Sequence, residues 1–468
     1  MAAGKGKRLK SKTPKVLHPM CGRPALWHVL AAAKRTRPGR LIMVVSRRGE
    51  GCGDDEVEAA VRSWGLVPKP VFVDQGEPQG TGHAVAVAEA AVGKAEVVLV
   101  LPGDNPLVTG EMLAATLRTH RRRKAAATVL TTELPDATGY GRIVRRGAGF
   151  VRIAEERDAT HEERRIREIA TSVYAFDRKA LFAALPLVGA DNSQREYYLP
   201  DVLGILKDKG ETVAVQVADF GGALDINSRA TLARAAAVMR ERINAEHMAN
   251  GVTLVDPSQT YIDVGVKIGR DTVVYPLTFI EGDTRIGEGS VLGPNTRIRD
   301  SRIGDGSEVA FSIVLEARLG KGVKVGPWAH VRPGTVLADG AKAGAFVEVK
   351  NSQVGRGSKV PHLAYVGDAK LGAGVNVGAG TVTVNYDGYS KHRTEIGDDV
   401  RVGSGNMLVA PVKVGRGAVT GAGSTITKDV PAGALVVERG EQRVVKGYRK
   451  RKDADAGKGA AGKRTKKG

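Results

Sequence analysis

The 468-residue chain carries a formal net charge of +20, and 42% of its residues are apolar, which is ordinary for a water-soluble protein. Its length predicts two domains. No run of 18 uncharged apolar residues occurs and no apolar stretch follows Met1, so we expect neither a membrane span nor a secretory signal. The two cysteines, Cys21 and Cys52, cannot build a disulfide framework, which favours a cytoplasmic location.

The first half of the chain alternates apolar runs with segments of helical spacing. Strands are predicted at 41–45, 70–73 and 97–101, and helices at 54–64, 83–92 and 111–122. This alternation predicts an α/β domain of Rossmann-like type, with a mainly parallel sheet, over residues 1–227. Sheets of this kind bind ligands at the carboxyl ends of their strands.

Residues 228–250 have a different pattern, which predicts one long helix. Leu232, Ala235, Met239 and Ile243 follow a three-to-four spacing, and Asn250 and Gly251 supply a stop. A partner-binding helix is the competing interpretation. The position between two domains favours a linker helix.

A six-residue unit repeats from about residue 264 to 424: an aliphatic residue, Gly, one or two polar residues and a small residue. Copies begin at Ile286, Ile303, Leu319, Val354, Leu371, Ile396 and Val414. This period predicts a parallel β-helix over residues 251–448, with the aliphatic residue inside and Gly supplying a positive φ at the turn. A flexible Gly-rich linker would not need aliphatic residues in register.

The end of the chain, residues 449–468, is strongly basic. From Lys446 onward there are ten Lys or Arg residues against two Asp, a net charge of +8, and no apolar periodicity. This composition predicts a disordered, solvated tail. A nucleic-acid-binding protein that uses this tail is a competing hypothesis, which predicts steep salt dependence that vanishes when residues 449–468 are deleted. Few aromatic residues interrupt the basic ones, so no stacking platform for single strands is predicted.

Three motifs in the first domain point to phosphate chemistry. Residues 2–8 form a Gly-rich loop that carries Lys and Arg, a combination suited to phosphate. Asp104 directly follows the predicted strand 97–101, where such sheets bind a metal or a phosphate. Residues 79–84 open a helix with Gly and Thr. For the loop alone, a mobile basic N-terminus is the competing interpretation.

Together these segments resemble the sugar-1-phosphate nucleotidyltransferases. The motifs are AAGKGxRLKS, xPKVLHP, GTGHAV, GD and TGYGRI, and the β-helix adds HLAYVGDA, NVGAGTVTVNYDG and GAGSTITKDVP. With both halves, the chain resembles the bifunctional N-acetylglucosamine-1-phosphate uridyltransferase/glucosamine-1-phosphate N-acetyltransferase family over nearly its whole length, to about Tyr448. The resemblance implies a left-handed β-helix, homotrimers with acetyl-transfer sites built from neighbouring chains, and a role in cell-wall precursor synthesis.

The resemblance implies a uridyltransferase site that joins N-acetylglucosamine-1-phosphate to UTP. Asp104 and Asn227 are implied to hold Mg²⁺. The other implied substrate contacts are Ala2, Ala3, Gly4, Arg8, Lys15, Gln75, Gly80, Thr81, Gly103, Gly141, Glu155 and Asn227.

Two departures from the family pattern concern this site. The family has a strand directly before the Gly-rich loop, where this chain has Met1, so we expect that a first strand is missing and that the start was placed too late in the reading frame. The family usually has Asn, a sugar contact, where this chain has Ala170, and loss of that amide weakens sugar binding by about 1 kcal/mol.

The resemblance also implies an acetyltransferase site that uses acetyl-CoA. His362 is the implied base, and Ser404 is implied to donate to the developing oxyanion. Glu348 is implied to orient the amine. The implied sugar-phosphate contacts are Arg332, Lys350, Tyr365, Asn376, Asn385 and Tyr386. The implied acetyl-CoA contacts are Ala379, Asn385, Tyr386, Ser404, Ala422 and Arg439.

Two further functions compete with the bifunctional one. An acetyltransferase with an impaired nucleotidyltransferase domain is favoured by the missing strand and by Ala170. A pyrophosphorylase with a merely structural β-helix is opposed by the full set of motifs that includes His362, Asn385 and Ser404.

Overall fold

The computed structural model describes residues 1–2, 6–46, 54–147, 149–192, 195–221, 225–454 and 456. The chain divides into two compact units, Met1–Thr284 and Arg285–Gly468. The first unit therefore extends beyond the predicted domain end at residue 227. It includes the linker helix and the first coil of the repeat region, because Asn244 of the helix donates hydrogen bonds to the carbonyl oxygens of Pro257 and Thr260.

The first unit contains eight α-helices among its described residues. They are Ala25–Arg35, Asp54–Ser63, Thr81–Ala86, Glu89–Val92, Gly110–Arg122, Arg178–Ala184, Asp201–Asp208 and Arg229–Ala249. Its strands are Pro19–Met20, Arg23–Pro24, Ile42–Val45, Val71–Asp74, Val97–Val100, Ala127–Glu133, Arg142–Arg146, Gly149–Ala154, Glu168–Asp177, Val213–Val217, Thr253–Leu254, Thr260–Ile262, Lys267–Ile268, Val273–Val274 and Thr278–Glu281. The predicted strands and helices up to residue 122 are confirmed, except that the segment predicted as 83–92 is two short helices.

The α/β class is confirmed, but the mainly parallel pairing is wrong for the described strands. Ile42–Val45 and Val71–Asp74 form a separate parallel pair. In the six-stranded sheet, Glu168–Asp177 runs antiparallel to Val97–Val100 and to Ala127–Glu133. The sheet is mixed because Glu168–Asp177 follows the hairpin of Arg142–Arg146 and Gly149–Ala154 and then pairs with strands that are distant from it in sequence.

Met1 and Ala2 lie between these two sheets and hydrogen-bond to both. The Met1 amine donates to the Leu101 carbonyl oxygen at 2.9 Å, and the Gly103 N–H donates to the Met1 carbonyl oxygen at 2.8 Å. This is the pattern of a parallel pair. On the other side, the Ala2 N–H donates to the Val44 carbonyl oxygen at 2.8 Å. The gap between the sheets is therefore one strand wide.

A cavity of about 670 Å³ fills this gap behind Met1. Residues of Ile42–Val45 line one side and residues of Val97–Val100 line the other. Most of the lining is aliphatic, with contributions from Leu26, Val29, Leu30, Val85, Ala88 and Val92.

The long helix predicted at 228–250 is observed as Arg229–Ala249, one residue inside the predicted bounds at each end. Ser228 caps its N-terminus by accepting a hydrogen bond from the Thr231 N–H, with a reciprocal contact from the Thr231 side chain. Asn250 follows its last turn. None of the described helices is long and apolar enough to cross a membrane.

The second unit contains short parallel strands, paired with the strand three positions further along the chain until the last coil, where Val419–Thr420 pairs with Leu435–Val436, two positions further. They are Arg285–Ile286, Val291–Leu292, Thr296–Arg299, Arg302–Ile303, Glu308–Val309, Ile313–Leu315, Arg318–Leu319, Lys324–Val325, His330–Val331, Val336–Leu337, Lys342–Ala345, Glu348–Lys350, Gln353–Val354, Lys359–His362, Tyr365–Gly367, Ala369–Leu371, Asn376–Val377, Val382–Val384, Thr394–Ile396, Arg401–Val402, Met407–Val409, Val412–Val414, Val419–Thr420, Thr425–Ile426 and Leu435–Val436. Three strands make one coil, so the predicted parallel β-helix is confirmed.

The two glycines of a repeat have different physical roles. The first, such as Gly304, allows coils to stack closely, since a Cβ there would lie 2.6 Å from the carbonyl carbon of Gly320. The second, such as Gly306, has a φ of +63° at the turn. The aliphatic residues point inward as predicted, and Ile303 is 4% exposed.

The end of the chain differs from the prediction of a tail without regular structure. Residues 448–454 are helical, and Arg449 forms an ion pair with Asp453, one turn later, at 3.0 Å. Pairs at this spacing support a helix. The rest of the predicted tail, apart from residue 456, lies outside the described residues.

Candidate active sites

A cationic side chain joins two oxygen donors at the carboxyl end of the strand Val97–Val100. The Lys15 ammonium is paired with the carboxylate of Asp104 and donates a hydrogen bond to the Asn227 side-chain oxygen. The Ile226 N–H donates to the Asp104 carbonyl oxygen at 3.0 Å, which holds the two segments together. Three of the predicted site residues therefore meet at one point.

The oxygen atoms of this cluster are of the kind that can bind a metal ion. The carboxylate of Asp104 and the amide oxygen of Asn227 converge on one cationic atom, and both are hard oxygen donors of the type that Mg²⁺ takes. Among the described residues, no group of three or more His, Cys, Asp or Glu is placed to hold a metal. A cation here would therefore need oxygen ligands from the substrate as well.

Asp225 extends this cluster, and the sequence reasoning missed it. Its carboxylate accepts a hydrogen bond from the Asn227 side-chain amide and another, at 2.7 Å, from the Tyr140 hydroxyl. Burial raises the pKa of Asp225 above its usual range, and the charge of Asp104 raises it further. Its position two residues before Asn227 was the only signal in the sequence.

The predicted nucleotide contacts lie around the start of the helix Thr81–Ala86. The buried Gln75 side chain donates to the Gly80 carbonyl oxygen at 3.1 Å. Gly80 has a φ of +112°, and a Cβ there would lie 2.5 Å from the Tyr197 carbonyl oxygen, so only glycine fits. The Thr81 hydroxyl accepts from the Leu199 N–H at 3.0 Å. These three residues are close together, as predicted.

The predicted sugar contacts also meet. A Cβ at Gly141 would lie 3.1 Å from a Glu155 carboxylate oxygen, so the two residues are in contact. Burial raises the pKa of Glu155, with further contributions from Asp201 and Asp158. The Ala170 N–H donates to the Gly141 carbonyl oxygen at 2.9 Å, which places the residue that departs from the family pattern beside this pair.

The Gly-rich loop is only partly described. Ala3 and Gly4 lie outside the described residues. Ala2 is buried and bonded to the sheet, and Gly103 is bonded to Met1. Arg8 is exposed, and its positive charge opposes the rise in the pKa of the Tyr140 hydroxyl that burial causes. Arg8 therefore lies on the same side of the unit as the Lys15 cluster, which consists of Lys15, Asp104, Asn227 and Asp225.

In the second unit, charged residues predicted to bind the sugar phosphate lie on neighbouring coils. The Arg332 guanidinium donates to Glu348 at 2.7 Å. Glu348 is paired in the sheet with Tyr365. The Lys350 ammonium lies 3.5 Å from the Asp368 carboxylate. This surface therefore carries Arg332, Lys350 and Tyr365 together.

Asp368 links Lys350 to Asn385. The Asn385 side chain, which is 8% exposed, donates to the Asp368 carboxylate. Burial alone would raise the pKa of Asp368, but hydrogen bonds from Asn351 and Asn385 and the charge of Lys350 hold it below its usual value.

Lys391 is a second residue that the sequence reasoning missed. It lies beside Lys350, and the pKa of Lys391 is lowered first by its hydrogen bond with Lys350 and then by the Lys350 charge. Two adjacent amines attract an anion. Lys391 reaches this place because its loop folds back on Tyr386, with which it forms an isolated antiparallel bridge.

His362 ends the strand Lys359–His362 and is exposed. Its neighbour Leu363 has a φ of +46°, so the chain turns a corner there towards Tyr365. The Gly380 N–H donates to the Leu363 carbonyl oxygen at 3.0 Å, which brings the next coil, with Ala379, beside this corner.

The remaining predicted sugar contacts lie on the same coils. Asn376 is paired in the sheet with Lys359, on the strand that His362 ends. The exposed Tyr386 side chain donates to the Gly388 carbonyl oxygen at 2.6 Å.

The predicted acetyl-CoA contacts form a stack along one edge of the β-helix. The Gly405 N–H donates to the Ala379 carbonyl oxygen at 2.7 Å, and the Gly423 N–H donates to the Ser404 carbonyl oxygen at 2.8 Å. Arg439 donates to the Ala422 carbonyl oxygen at 3.2 Å. Ala379, Ser404 and Ala422, all small residues, therefore lie on successive coils.

The first unit is an α/β domain in which Lys15, Asp104 and Asn227 meet, and the second is a β-helix of six-residue repeats. Together they define the class of bifunctional transferases. Residues 1–186 match the family described as MobA-like NTP transferase domain, and residues 265–300 and 393–428 match the bacterial transferase hexapeptide family. The chain is 49% identical over 455 residues to the bifunctional protein GlmU of Heliobacterium modesticaldum, with 97% of each chain covered.

Two further relatives carry the same name. The protein of Streptomyces avermitilis is 47% identical, with 98% of this chain and 95% of the relative covered. The protein of Listeria monocytogenes serotype 4b is 47% identical, with 96% and 97% covered. The chain belongs to the family of the bifunctional protein GlmU, and it is an enzyme with a nucleotidyltransferase domain and a hexapeptide-repeat acyltransferase domain.

Proposed function

We propose that this chain makes UDP-N-acetylglucosamine in two steps. An acetyl group passes from acetyl-CoA to the amine of glucosamine-1-phosphate, with release of the CoA thiol. The product's phosphate then attacks the α-phosphorus of UTP, with release of pyrophosphate. The meeting of Lys15 with Asp104 and Asn227 in one unit, and of Lys350 with Asp368 and Asn385 in the other, carries the proposal.

In the proposed acetyl transfer, His362 accepts a proton from the substrate amine. Imidazole is the side chain most often used as a general base near neutral pH. Arg332, Lys350 and Lys391 bind the sugar phosphate, a role supported by the concentration of positive charge around Lys350. Ser404 donates to the oxyanion that forms as the amine attacks the thioester.

In the proposed uridyl transfer, Lys15 and Arg8 bind the phosphates of UTP. Asp104 and Asn227 would hold Mg²⁺, which would neutralise charge on the phosphates. The Lys15 ammonium leaves these oxygens for a phosphate oxygen. Gln75, Gly80 and Thr81 bind the nucleoside, and Gly141 with Glu155 binds the sugar. In-line transfer of this type needs positioning and charge neutralisation more than a protein nucleophile.

Two assays on the purified chain test the proposal separately. Thiol release from acetyl-CoA with glucosamine-1-phosphate reports the first step. Pyrophosphate release from UTP with N-acetylglucosamine-1-phosphate reports the second. Absence of the first activity would overturn the assignment of the β-helix site, and absence of the second would leave an acetyltransferase.

That acetyltransferase is the second candidate function. Ala170 favours it, because this residue lies beside Gly141 and Glu155 and its methyl side chain offers no hydrogen bond to a sugar.

The family and the β-helix support small-molecule substrates and assembly of several chains, and we propose a homotrimer in the cytoplasm. An apolar ladder, defined as Phe311, Trp328, Phe346 and Leu363, supports assembly. The Trp328 and Phe346 rings stack with centroids 5.1 Å apart, yet their residues are 58% and 56% exposed. An apolar row of this size on one corner is a suitable surface for another copy of the chain.

A further inference from the structure

Asn227 can bind a cation beside Asp104 only if its carboxamide oxygen, and not its nitrogen, faces Asp104. The amide nitrogen donates to the Asp225 carboxylate, and the amide oxygen accepts from the Lys15 ammonium. A carboxylate only accepts and an ammonium only donates, so these two neighbours together fix which way the amide points. When Lys15 leaves for a phosphate, Asp225 is the neighbour that remains.

Asp225 is itself held in place. The Tyr140 hydroxyl donates to it at 2.7 Å, and Tyr140 packs against a buried apolar cluster that includes Leu130, Ile169 and Phe220. The backbone of Asn227 is fixed independently, because its N–H donates to the Thr231 hydroxyl at 2.8 Å. The backbone contact therefore sets where Asn227 lies, and Asp225 sets how its side chain is turned.

We propose that Asp225 is a positioning residue that turns the Asn227 carboxamide oxygen towards Asp104 and the cation held there. This inference rests on the proposed uridyl transfer. Outer partners that orient a ligand typically change metal affinity by about 10–100-fold when they are removed. Asp225 acts through Asn227, so its effect disappears when the Asn227 side chain is absent.

The test is a double-mutant cycle on metal binding. Mn²⁺ bound to the full-length protein at a fixed UTP concentration is measured by the enhancement of water proton relaxation, and Mg²⁺ is used to displace it. Asp225→Ala is expected to weaken Mn²⁺ binding by about 10–100-fold. Asp225→Asn, which keeps an acceptor oxygen, is expected to lose less. In the Asn227→Ala background, Asp225→Ala is expected to cause no further loss.

Asp219→Asn is the matched control, since this exposed carboxylate accepts from the Gly221 N–H in the same segment and lies outside the cluster. Its Mn²⁺ binding is expected to equal that of the unsubstituted protein. The thermal midpoint of unfolding, measured on every variant, reports that the first unit is folded, and acetyl transfer reports the same for the second unit.

Normal Mn²⁺ binding by Asp225→Ala would overturn the inference and leave the proposed uridyl transfer standing. An additional loss in the Asn227→Ala background would also overturn it, since Asp225 would then act directly or through the general structure. If the unsubstituted protein binds no Mn²⁺ with UTP, the proposed uridyl transfer fails and this inference fails with it.

Discussion

The amine of Met1 donates a hydrogen bond of 2.9 Å to the carbonyl oxygen of Leu101, inside the gap between two parallel strands. Burial lowers the pKa of this amine to about 6, although the charge of Asp104 opposes the shift. An ionisable amine therefore lies against a cavity that is lined mainly by aliphatic side chains.

This buried amine makes the free energy of unfolding depend on pH. The folded state releases the proton near pH 6, whereas the unfolded chain keeps it to about pH 8. Between these values the unfolded state binds more protons, so stability rises with pH, by at most about 2–3 kcal/mol. We expect the thermal midpoint to rise from pH 6 to pH 8 in protein whose retained Met1 is verified by mass.

A control with an acetylated N-terminus isolates this effect. Burial also lowers the pKa of His28 and His120, and these groups contribute with the same sign at lower pH. Subtracting the control therefore leaves the contribution of Met1. Identical pH profiles for the free and acetylated chains would show that the amine does not titrate in the gap.

His362→Ala is expected to reduce acetyl transfer by about 10²–10⁴-fold, the usual cost of losing a general base. Uridyl transfer is expected to be unchanged, because the residues proposed for it all belong to the other compact unit. Thiol release and pyrophosphate release from the same preparation measure the two effects. A normal rate of thiol release would remove His362 from the mechanism.

Asp104→Ala is expected to abolish Mg²⁺-dependent formation of UDP-N-acetylglucosamine and to leave acetyl transfer intact. The carboxylate is the strongest oxygen donor of the Lys15 cluster, and without it Asn227 alone faces the cation. Pyrophosphate release is measured over a range of Mg²⁺ concentrations. Activity that persists at ordinary Mg²⁺ would contradict the assignment.

The Trp328→Asn/Phe346→Asn double variant tests the apolar ladder. Both positions have positive φ, which Asn tolerates, so the fold is expected to survive. Each aromatic side chain that becomes buried on assembly contributes about 1.5–3 kcal/mol to the free energy of association. The association constant is therefore expected to fall at least tenfold, which light scattering would detect as a smaller mass. Tyr389→Asn, at an exposed aromatic outside the ladder, is the control. An unchanged mass in the double variant would exclude this corner as an interface.

The six-residue period was enough to predict the β-helix, because every unit must place one aliphatic residue inside the coil and this need recurs at the same position of each unit. Ile303 and Gly304 satisfy it with their immediate neighbours in the stack. Asp104 was predictable for a similar reason, since its place after a strand follows from the chain alone.

Contacts between distant segments were not predictable from local pattern. The antiparallel return of Glu168–Asp177 depends on pairing with two strands far from it in sequence. Lys391 and Asp225 reach Lys350 and Asn227 only through the folded backbone. The family resemblance supplied the other site residues, and the sequence by itself gave no measure of the space behind Met1.

An apolar strand added in front of Met1 is expected to fill the cavity. Met1 already pairs in parallel with the backbone around Leu101, so preceding residues would continue between Ile42–Val45 and Val97–Val100. An extension of five Val-rich residues is expected to stabilise the chain, since each buried Val or Leu contributes about 1.5–3 kcal/mol. It also anchors the loop at Ala2, where misplacement by about 1 Å can cost about 10²-fold in rate. We therefore expect a higher thermal midpoint and faster pyrophosphate release, with thiol release unchanged. The matched control is a Ser-Gly extension of equal length, which removes the Met1 amine from the gap but offers no apolar side chains. If the two extended chains have equal midpoints and equal uridyl-transfer rates, the gap does not take a strand, and the loop needs none behind it.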